Sequence, residues 1–225
     1  CYYIESILGD PSETSKVDFV EGGGVDIIVG TQSNGQGHET TYAQFLSDQT
    51  GIPYESINVL QGDSDLIPHG GGTGGSRSST VQNNATLVTV GVMIKAFSAF
   101  LADKLEVECG DINFDDERFY IKGSNLAPSI LDCVKLARAD GRLDLMSHQS
   151  TGTLEARSFP NGAHVAEVEI DPATGVVKLD RYTVVDDFGN LFNPRLVEGQ
   201  VHGGVVQGIG QAINEHVVFD KNGQL

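Results

Sequence analysis

Three glycine-rich stretches carry the residue types that could bind an anion. The first, GTQSNGQGHETTYAQ at residues 30–44, follows an apolar strand-like segment and leads into Tyr42, Phe45 and Leu46, which are spaced like one helix face. A strand, a glycine turn and a helix N-terminus in this order leave backbone N–H groups free for an anion. Gln36 adds a donor and an acceptor. The candidate residues are Gly35, Gln36, Gly37, His38, Glu39 and Thr40.

The second stretch is PHGGGTGGSRSST, residues 68–80. Its Gly70-x-Gly72-x-x-Gly75 spacing matches a dinucleotide fingerprint only formally, because Pro68 and His69 precede it where a strand should run into the turn. No Gly-Lys-Ser/Thr follows, so it is not a P-loop. A run of backbone amides and hydroxyls before a long helix suits a phosphate or a metal-bound oxo group. The alternative interpretation is a disordered glycine linker.

The third stretch, residues 198–215, is predicted to be a helix with two different faces. Val201, Val205, Ile209, Ala212 and Ile213 gather on one side at helical spacing, and Gln200, Gly204, Gln207 and Gln211 gather on the other. Each glycine costs a helix about 1 kcal/mol relative to alanine. A polar ligand lying against the backbone would explain the glycines, and close helix packing is the alternative.

Charge and cysteine usage restrict the function classes. The formal net charge of −17 argues against nucleic acid or an anionic membrane as partner. Cys1, Cys109 and Cys133 form no CxxC pair, so an iron–sulfur cluster on this chain is not expected. The odd cysteine number and the absence of a signal-peptide pattern predict a cytoplasmic location, and no membrane span is expected. The chain is expected to be a fragment of a longer polypeptide.

The elements that must position these stretches predict an α+β fold of two related ββα lobes, with mixed sheet and packed helices. Each lobe has a hairpin, a glycine turn and a helix, and Gly35-Gln36-x-His38 is echoed by Gly199-Gln200-x-His202. Chance similarity between glycine-rich turns is the alternative. The predicted domains are a first lobe at 1–108, a connecting helical and acidic segment at 109–155, and a truncated second lobe at 156–225.

The remaining predicted elements lie between the two hairpins. Residues 77–102 predict a long buried helix. Residues 127–141 predict a second helix, with Pro128 in its first turn and Gly141 at its end. SINVLQGD and ERFYIKG are typical of short strands. The wide apolar face expected for the long helix consists of Val81, Ala85, Val88, Val92, Ala96 and Ala99, with Leu87, Ile94, Phe97 and Leu101 beside it.

The sequences GQGHETTYAQ, PHGGGTGGSRS and EGQVHGGVVQGIGQA together resemble the molybdenum cofactor-binding half of the large subunit of molybdenum hydroxylases. This family includes xanthine dehydrogenase, aldehyde oxidoreductase and aerobic carbon monoxide dehydrogenase. The three motif sequences are most similar to those of carbon monoxide dehydrogenases. The resemblance covers nearly the whole chain. It implies a molybdopterin cofactor, in bacteria usually the cytosine dinucleotide, with FAD and 2Fe-2S clusters on partner subunits. A dimer of heterotrimers is implied for the complete enzyme.

The resemblance also implies roles for individual residues. Gly35, Gln36 and Gly37 match the turn that holds the pterin and its phosphate, and His38, Glu39 and Thr40 match positions beside the pyrophosphate or nucleotide. Gln200 matches the glutamine near the molybdenum oxygen ligands, and Gln207 is a further candidate for the dinucleotide. The loop beside molybdenum and the pterin, with Gly75 nearest the metal, comprises Thr73, Gly74, Gly75, Ser76, Arg77 and Ser78.

Two departures limit what the resemblance implies. The family's catalytic glutamate lies in a Gly-x-Gly-Glu-like stretch that this sequence lacks, so no catalytic residue is expected in it, and Glu215 does not replace it. The loop that distinguishes carbon monoxide dehydrogenases from their relatives has no counterpart here either. Oxidation of an aldehyde or N-heterocycle therefore remains an alternative, as does a non-catalytic cofactor-binding module. A zinc hydrolase using His38 lacks a second ligand, because Tyr42 stands where the second histidine should be.

Overall fold

The computed structural model describes residues 1–225, which divide into two compact units. The larger unit is Ser6–Ser158, and the smaller unit combines Cys1–Glu5 with Phe159–Leu225. Helices and sheets together confirm the α+β class. The three-part division at residues 108 and 155 stays a prediction.

The larger unit is built on a four-stranded sheet in the order β4-β3-β2-β7. Strands β2 and β3 form an antiparallel hairpin, β7 pairs antiparallel with β2, and β4 runs parallel to β3, so this sheet is mixed as predicted. Side chains of β2 alternate between buried and half-exposed because successive residues point to opposite faces. The strands are β2 Ser12–Phe19, β3 Val25–Val29, β4 Ile57–Leu60 and β7 Ser147–Thr153.

Three helices enclose the core: the first two pack on this sheet and the third packs against the second. The predicted face of α1, His38–Thr50, is confirmed, since Tyr42, Phe45 and Leu46 are all buried. Helix α2, Asn83–Leu105, follows a single π turn at Ser78–Gln82 and buries Phe97 completely against aromatic side chains of the sheet and a nearby hairpin. The third helix is α3, Ile130–Ala139, and 3₁₀ turns occupy Tyr54–Ser56, Cys109–Asp111 and Leu143–Met146.

The buried face of α2 agrees with the predicted one only in part, since Phe97 and Leu101 are buried as expected but other members of the set are not. Val88 and Val92 are 40% and 43% exposed, whereas Thr86 and Thr89 are fully buried. The cause is hydrogen bonding: Thr86 Oγ1 donates to Ser15 Oγ at 3.1 Å and Thr89 Oγ1 donates to the Ser15 carbonyl at 3.0 Å. The apolar spacing could not reveal that two threonines face the sheet, because their burial depends on partners from a distant strand.

The segment Ser78–Leu105 is long and apolar enough, by length and composition, to cross a membrane, which the sequence analysis had not expected of any stretch. More than half of its most apolar window, 56%, is buried inside the protein. Core helices of globular proteins have the same properties, and α2 packs as one against β2 and β7.

A short hairpin and a capped helix complete the larger unit. Strands β5, Ile112–Asp115, and β6, Arg118–Ile121, pair antiparallel. Helix α3 begins after Ser129, whose hydroxyl accepts from the Asp132 N–H while the Asp132 carboxylate accepts from the Ser129 N–H. The prediction that Pro128 lies in the first helical turn is therefore wrong by a small margin, because this capping box places the helix start after Pro128.

The smaller unit has the predicted order of hairpin and helix. Its sheet has the order β1-β8-β9 and is antiparallel throughout, so the mixed sheet occurs only in the larger unit. Helix α4, Pro194–Ile209, begins earlier than predicted because the Asn193 side chain caps the Leu196 N–H at 3.1 Å, and a π turn follows at Gly210–Asn214. The strands are β1 Tyr2–Ile4, β8 Asn161–Ile170 and β9 Val177–Asp187.

We expect Phe97→Ala to destabilise the larger unit by about 3–5 kcal/mol, because it empties a fully buried aromatic position. Urea unfolding of the 225-residue chain measures this change. Val92→Ala on the same helix is the matched control and should change the free energy of unfolding by less than about 1 kcal/mol, since Val92 is 43% exposed. Equal effects of the two substitutions would contradict the assigned core face.

Candidate cofactor-binding site

The first glycine turn, residues 30–37, joins β3 to α1, whose first helical turn follows at 38–40. Gly35 and Gly37 have left-handed φ values of 109° and 80°, which a residue with a side chain rarely adopts. Gly37 is the N-cap of α1, and no side chain caps this helix. The N–H groups of the first helical turn have no partner within the helix and carry its positive dipole end. This turn therefore has the geometry of an anion-binding helix N-terminus.

Only one of the two hydrogen-bonding groups of the Gln36 side chain is left for a ligand. Its Oε1 atom accepts hydrogen bonds from the Asn34 N–H at 2.5 Å and from Ser33 Oγ at 3.5 Å. The acceptor is thus used inside the turn. The Nε2 amide group is the part of Gln36 suited to reach a ligand, as a donor.

His38 is buried at the base of the turn. Its Nδ1 lies 2.9 Å from the Thr31 carbonyl oxygen and 3.4 Å from the Tyr42 hydroxyl. Burial lowers the pKa of His38, so the ring is neutral near pH 7 and Nδ1–H donates to the Thr31 carbonyl. This local hydrogen bond ties the turn to α1. No group of three or more His, Cys, Asp or Glu side chains is placed to hold a metal, so the zinc-hydrolase interpretation has no structural basis.

The second glycine turn, residues 68–78, is an exposed loop that ends in the π turn before α2. Gly72 and Gly75 have left-handed φ values of 68° and 59°, and Ser76 adopts the same region at 57°. None of the N–H groups of residues 72–75 donates to a backbone carbonyl. These amides are available to a ligand, and left-handed residues such as Gly72 and Gly75 are a feature of the nests that bind anions.

The two glycine turns touch backbone to backbone at Gly30 and Gly70. A Cβ on Gly30 would lie 2.8 Å from the Gly70 Cα, and a Cβ on Gly70 would lie equally close to the Gly30 Cα. Neither position can carry a side chain without moving one turn away from the other. This contact brings the two sets of candidate residues together, although about 30 residues separate them in the chain.

A buried ion pair lies beneath this contact. Arg77 Nη1 is 3.0 Å from Glu13 Oε2, and both side chains are 2% exposed. The Arg77 guanidinium also donates to the carbonyl oxygens of Asp10, Ser12 and Gly72 at 2.7–2.9 Å. Arg77 was predicted to bind cofactor, but its charge faces inward and is used within the protein. A direct contact of this side chain with a ligand therefore has no support in the geometry.

Glu13 was missed by the sequence analysis. It is 3% exposed, and besides Arg77 it accepts the Gly71 N–H at 2.9 Å and the Thr14 N–H at 3.1 Å. The sequence held a signal, because Glu13 shares the inward-facing parity of Ser15, Val17 and Phe19 on its strand. A carboxylate on a buried face requires a cationic or N–H partner.

Buried hydroxyl groups form a second link between the turns. Ser78 Oγ donates to Thr73 Oγ1 at 3.0 Å in the second turn and is hydrogen bonded to Tyr42. The Tyr42 hydroxyl lies 2.7 Å from Thr31 Oγ1 in the first turn, and Thr31 donates onward to Gln82 Oε1 at 3.0 Å. Burial raises the pKa of Tyr42, so this hydroxyl keeps its proton. The network is neutral and connects the two turns through buried hydroxyl groups.

The charges around the turns decide how an anion could be held. Within residues 30–42 and 61–78, Arg77 is the one arginine or lysine, and Glu13 neutralises it. Glu39 on the surface accepts from Gln61 Nε2 at 2.5 Å. An anionic ligand here would be held by backbone N–H groups, amides and hydroxyls, as the overall acidity of the chain had suggested.

The two remaining predicted residues, Gln200 and Gln207, lie in the smaller unit. Both are on exposed positions of α4 two helical turns apart, while Val201, Val205 and Ile209 are half-buried and Ile209 lines a pocket with side chains of β8 and β9. The predicted separation of the two faces is confirmed for these residues, whereas Ala212 and Ile213 of the predicted apolar face lie in the π turn and are exposed. Their approach to a cofactor stays a prediction.

The sequence model of the molybdopterin cofactor-binding domain matches residues 1–225, the whole chain. The chain belongs to this family. The resemblance inferred from the three glycine-rich stretches is thereby confirmed, and so is the relation to molybdenum-dependent oxidoreductases.

Curated relatives include enzymes with different named substrates. The chain is 34% identical to the carbon monoxide dehydrogenase large chain of Afipia carboxidovorans over 212 residues, which is 90% of this chain and 26% of that protein. It is 35% identical to the nicotine 6-hydroxylase large subunit of Paenarthrobacter nicotinovorans over 220 residues, or 95% and 27%. The chain thus spans about a quarter of these relatives.

Solved structures of this family have the same fold. The crystal structure of Cu,Mo-CO dehydrogenase in its carbon monoxide reduced state aligns with a TM-score of 0.90 and 30% identity, over 99% of this chain and 30% of that one. Quinoline 2-oxidoreductase from Pseudomonas putida 86 aligns with a TM-score of 0.87 and 27% identity, over 100% and 31%.

The joined turns fit a molybdopterin group by the chemistry of their donors. The pterin and its phosphate groups require N–H and hydroxyl donors and a surface that backbone can approach closely. The turns provide unpaired loop amides, the α1 N-terminus and the Gln36 amide group. Gly30 and Gly70 leave no room for side chains at the junction.

We expect Gly70→Ala to destabilise the larger unit by about 1–3 kcal/mol, because the new Cβ would overlap the Gly30 backbone. Gly74→Ala is the matched control, since a Cβ there meets nothing within 4 Å and the φ of Gly74 is not left-handed. It should change stability by less than about 0.5 kcal/mol. Urea unfolding of both variants measures the difference, and equal effects would contradict the contact between the turns.

His38 makes the stability of the larger unit depend on pH. The folded ring has a pKa below its ordinary value near 6.5, so the unfolded chain binds more protons in mildly acidic solution. Stability is then lost as the pH falls from 7 towards 5.5, by at most about 1.4 kcal/mol per pH unit for one group. His38→Asn should make this loss smaller in urea titrations at each pH. An unchanged slope would contradict a buried neutral His38.

Proposed function

We propose that the chain binds molybdopterin, as the cytosine dinucleotide, within the large subunit of a molybdenum hydroxylase of the aerobic carbon monoxide dehydrogenase type. The contact between the two glycine turns is the observation that carries this proposal. It concentrates the α1 N-terminus and the free amides of residues 72–75 in one place. An extended polyanion with a flat hydrogen-bonding ring is the kind of ligand that such a surface suits.

In this proposal the residues of the first turn hold the pterin and its phosphate groups. Gly35, Gln36 and Gly37 donate to the pterin side, with the Gln36 Nε2 amide as a side-chain donor. His38 acts through the buried hydrogen bond that fixes the helix start. Glu39 and Thr40 lie on the outer part of the first helical turn, where the nucleotide would extend.

Residues of the second turn bind the part of the group nearest the metal. The amides of Thr73, Gly74 and Gly75 and the groups of Ser76 and Ser78 belong to this loop. Gln200 and Gln207 are proposed as cofactor residues on the sequence resemblance alone. The bound molybdenum group would supply the redox centre for oxidation of a substrate with oxygen from water. The chain itself supplies binding and orientation. Its 225 residues alone are expected to be inactive, without a catalytic base of the family type.

The proposed substrate of the complete enzyme is carbon monoxide. An N-heterocycle or an aldehyde is the second candidate, and the comparable identity to nicotine 6-hydroxylase and the fold match to quinoline 2-oxidoreductase favour the heterocycle. Dye reduction by the complete enzyme with carbon monoxide, nicotine or quinoline distinguishes these candidates. Reduction by a heterocycle and not by carbon monoxide would overturn the first candidate.

The proposed assembly joins the rest of the large subunit to flavin and iron–sulfur subunits, as a dimer of heterotrimers in the cytoplasm. FAD and 2Fe-2S clusters would reside on those partners. One relative is named as subunit gamma of the 6-hydroxypseudooxynicotine dehydrogenase complex of Paenarthrobacter nicotinovorans, which supports a multi-subunit enzyme. Nucleic acid is not among the proposed partners, because the chain carries a net charge of −17.

We expect Gln36→Ala to lower molybdenum and cytosine-nucleotide content in the purified complete enzyme by about threefold to tenfold, since one donor of roughly 1 kcal/mol is lost and the turn loses its internal acceptor. Gln149→Ala, at an exposed position of β7, is the control and should leave the content unchanged. Metal analysis and nucleotide release by acid measure both. Unchanged content in Gln36→Ala would contradict this assignment. A wild-type enzyme without molybdenum would favour a non-catalytic binding module.

A further inference from the structure

Glu13 and Arg77 lie where they could control the shape of the second glycine turn without touching a ligand. Both side chains are 2% exposed and are 3.0 Å apart. Glu13 accepts the N–H of Gly71, and Arg77 donates to the carbonyl of Gly72 at 2.7 Å. The ion pair therefore holds the two peptide groups that flank this dipeptide, the one joining Gly70 to Gly71 through its N–H and the one joining Gly72 to Thr73 through its carbonyl.

The Gly72 carbonyl belongs to the same planar peptide group as the Thr73 N–H, so the bond from Arg77 fixes the direction of this loop amide. Residues 72–75 carry the free N–H groups of the loop, and two of them, Gly72 and Gly75, have left-handed φ values. At the far end of the loop the Gly75 carbonyl accepts the Leu8 N–H at 2.8 Å, and a Cβ on Gly75 would overlap Leu8. The loop is thus anchored at both ends, and the N–H groups of residues 72–75 between the two anchors donate to no backbone carbonyl.

The glycines pressed against the ion pair leave little room for an alternative arrangement. A Cβ on Gly71 would lie 2.6 Å from the guanidinium of Arg77, and a Cβ on Gly30 would lie 2.6 Å from Glu13 Oε1. Both glycine turns therefore rest directly on the pair. A change in the pair would move the amides of the second turn relative to the α1 N-terminus.

We propose that Glu13 and Arg77 are positioning residues for the reaction of the molybdenum enzyme, acting through the peptide groups on either side of the Gly71–Gly72 dipeptide. The inference rests on the proposed function. The pair orients the loop amides around the metal end of the cofactor, and Arg77 makes no contact with the cofactor itself. A displacement of about 1 Å at a reacting centre can lower a rate by about a hundredfold.

The test compares Glu13→Gln with the wild type in the complete enzyme. We expect molybdenum content to stay within about twofold, the molybdenum EPR spectrum of dithionite-reduced enzyme to change, and the rate of dye reduction per molybdenum to fall by about tenfold to a hundredfold. Glu167→Gln is the control, because Glu167 forms an exposed pair with Arg181 at 3.8 Å in the smaller unit. It should change none of these readouts.

Loss of the Glu13 charge alone leaves Arg77 buried without a counter-charge, and the single variant could fail to fold. The double variant Glu13→Gln/Arg77→Gln removes this problem. It should raise the melting temperature above that of the single variant while the EPR spectrum stays altered and the rate per molybdenum stays low.

Two outcomes separate this inference from the proposed function. A wild-type EPR spectrum and a wild-type rate per molybdenum in Glu13→Gln, or in the double variant, would overturn the positioning role while the enzyme still contains molybdenum. Absence of molybdenum from the wild-type enzyme would overturn the proposed function and, with it, this inference.

Discussion

The contact between Gly30 and Gly70 is the constraint on which the candidate site depends. It requires glycine at two positions, one after β3 and one in the loop before α2. A methyl group on either residue would push the two backbones apart. The four-stranded sheet holds the first position, because β3 is one of its two inner strands. Glu13 on β2 holds the second, because its carboxylate accepts the N–H of the neighbouring Gly71. The sheet therefore positions both turns.

Electrostatics explain why such a site can exist in an acidic chain. A buried charge pair is neutral overall, and its cost is reduced when hydrogen bonds satisfy the remaining donors and acceptors. Glu13 and Arg77 meet this condition with backbone groups of β2 and the loop. The neutral Tyr42, Thr31 and Ser78 network adds no charge. Oriented N–H groups thus remain the main attraction for an anion.

Local pattern predicted much of this structure. The strand, glycine turn and helix at residues 25–50, the buried face of α1 and the two faces of α4 all follow from spacing and turn chemistry. The features that local patterns could not predict depend on contacts between residues that are far apart in the sequence. Thr86 and Thr89 turn the α2 face away from Val88, and Arg77 points inward because Glu13 lies on a strand more than 60 residues away. The hydropathy pattern does not reveal that Ser15 and Glu13 are the partners of these side chains. No local sequence feature predicts the contact between Gly30 and Gly70.

Hydrogen exchange of the complete enzyme, with its cofactor bound and after removal of the cofactor, tests the central claim most directly. If one ligand is held by both glycine turns, amides in segments 35–40 and 72–75 should be protected together in the loaded enzyme and lose protection together when it is stripped. Protection that changes in only one segment, or in neither, would contradict a shared site at the junction of the two turns.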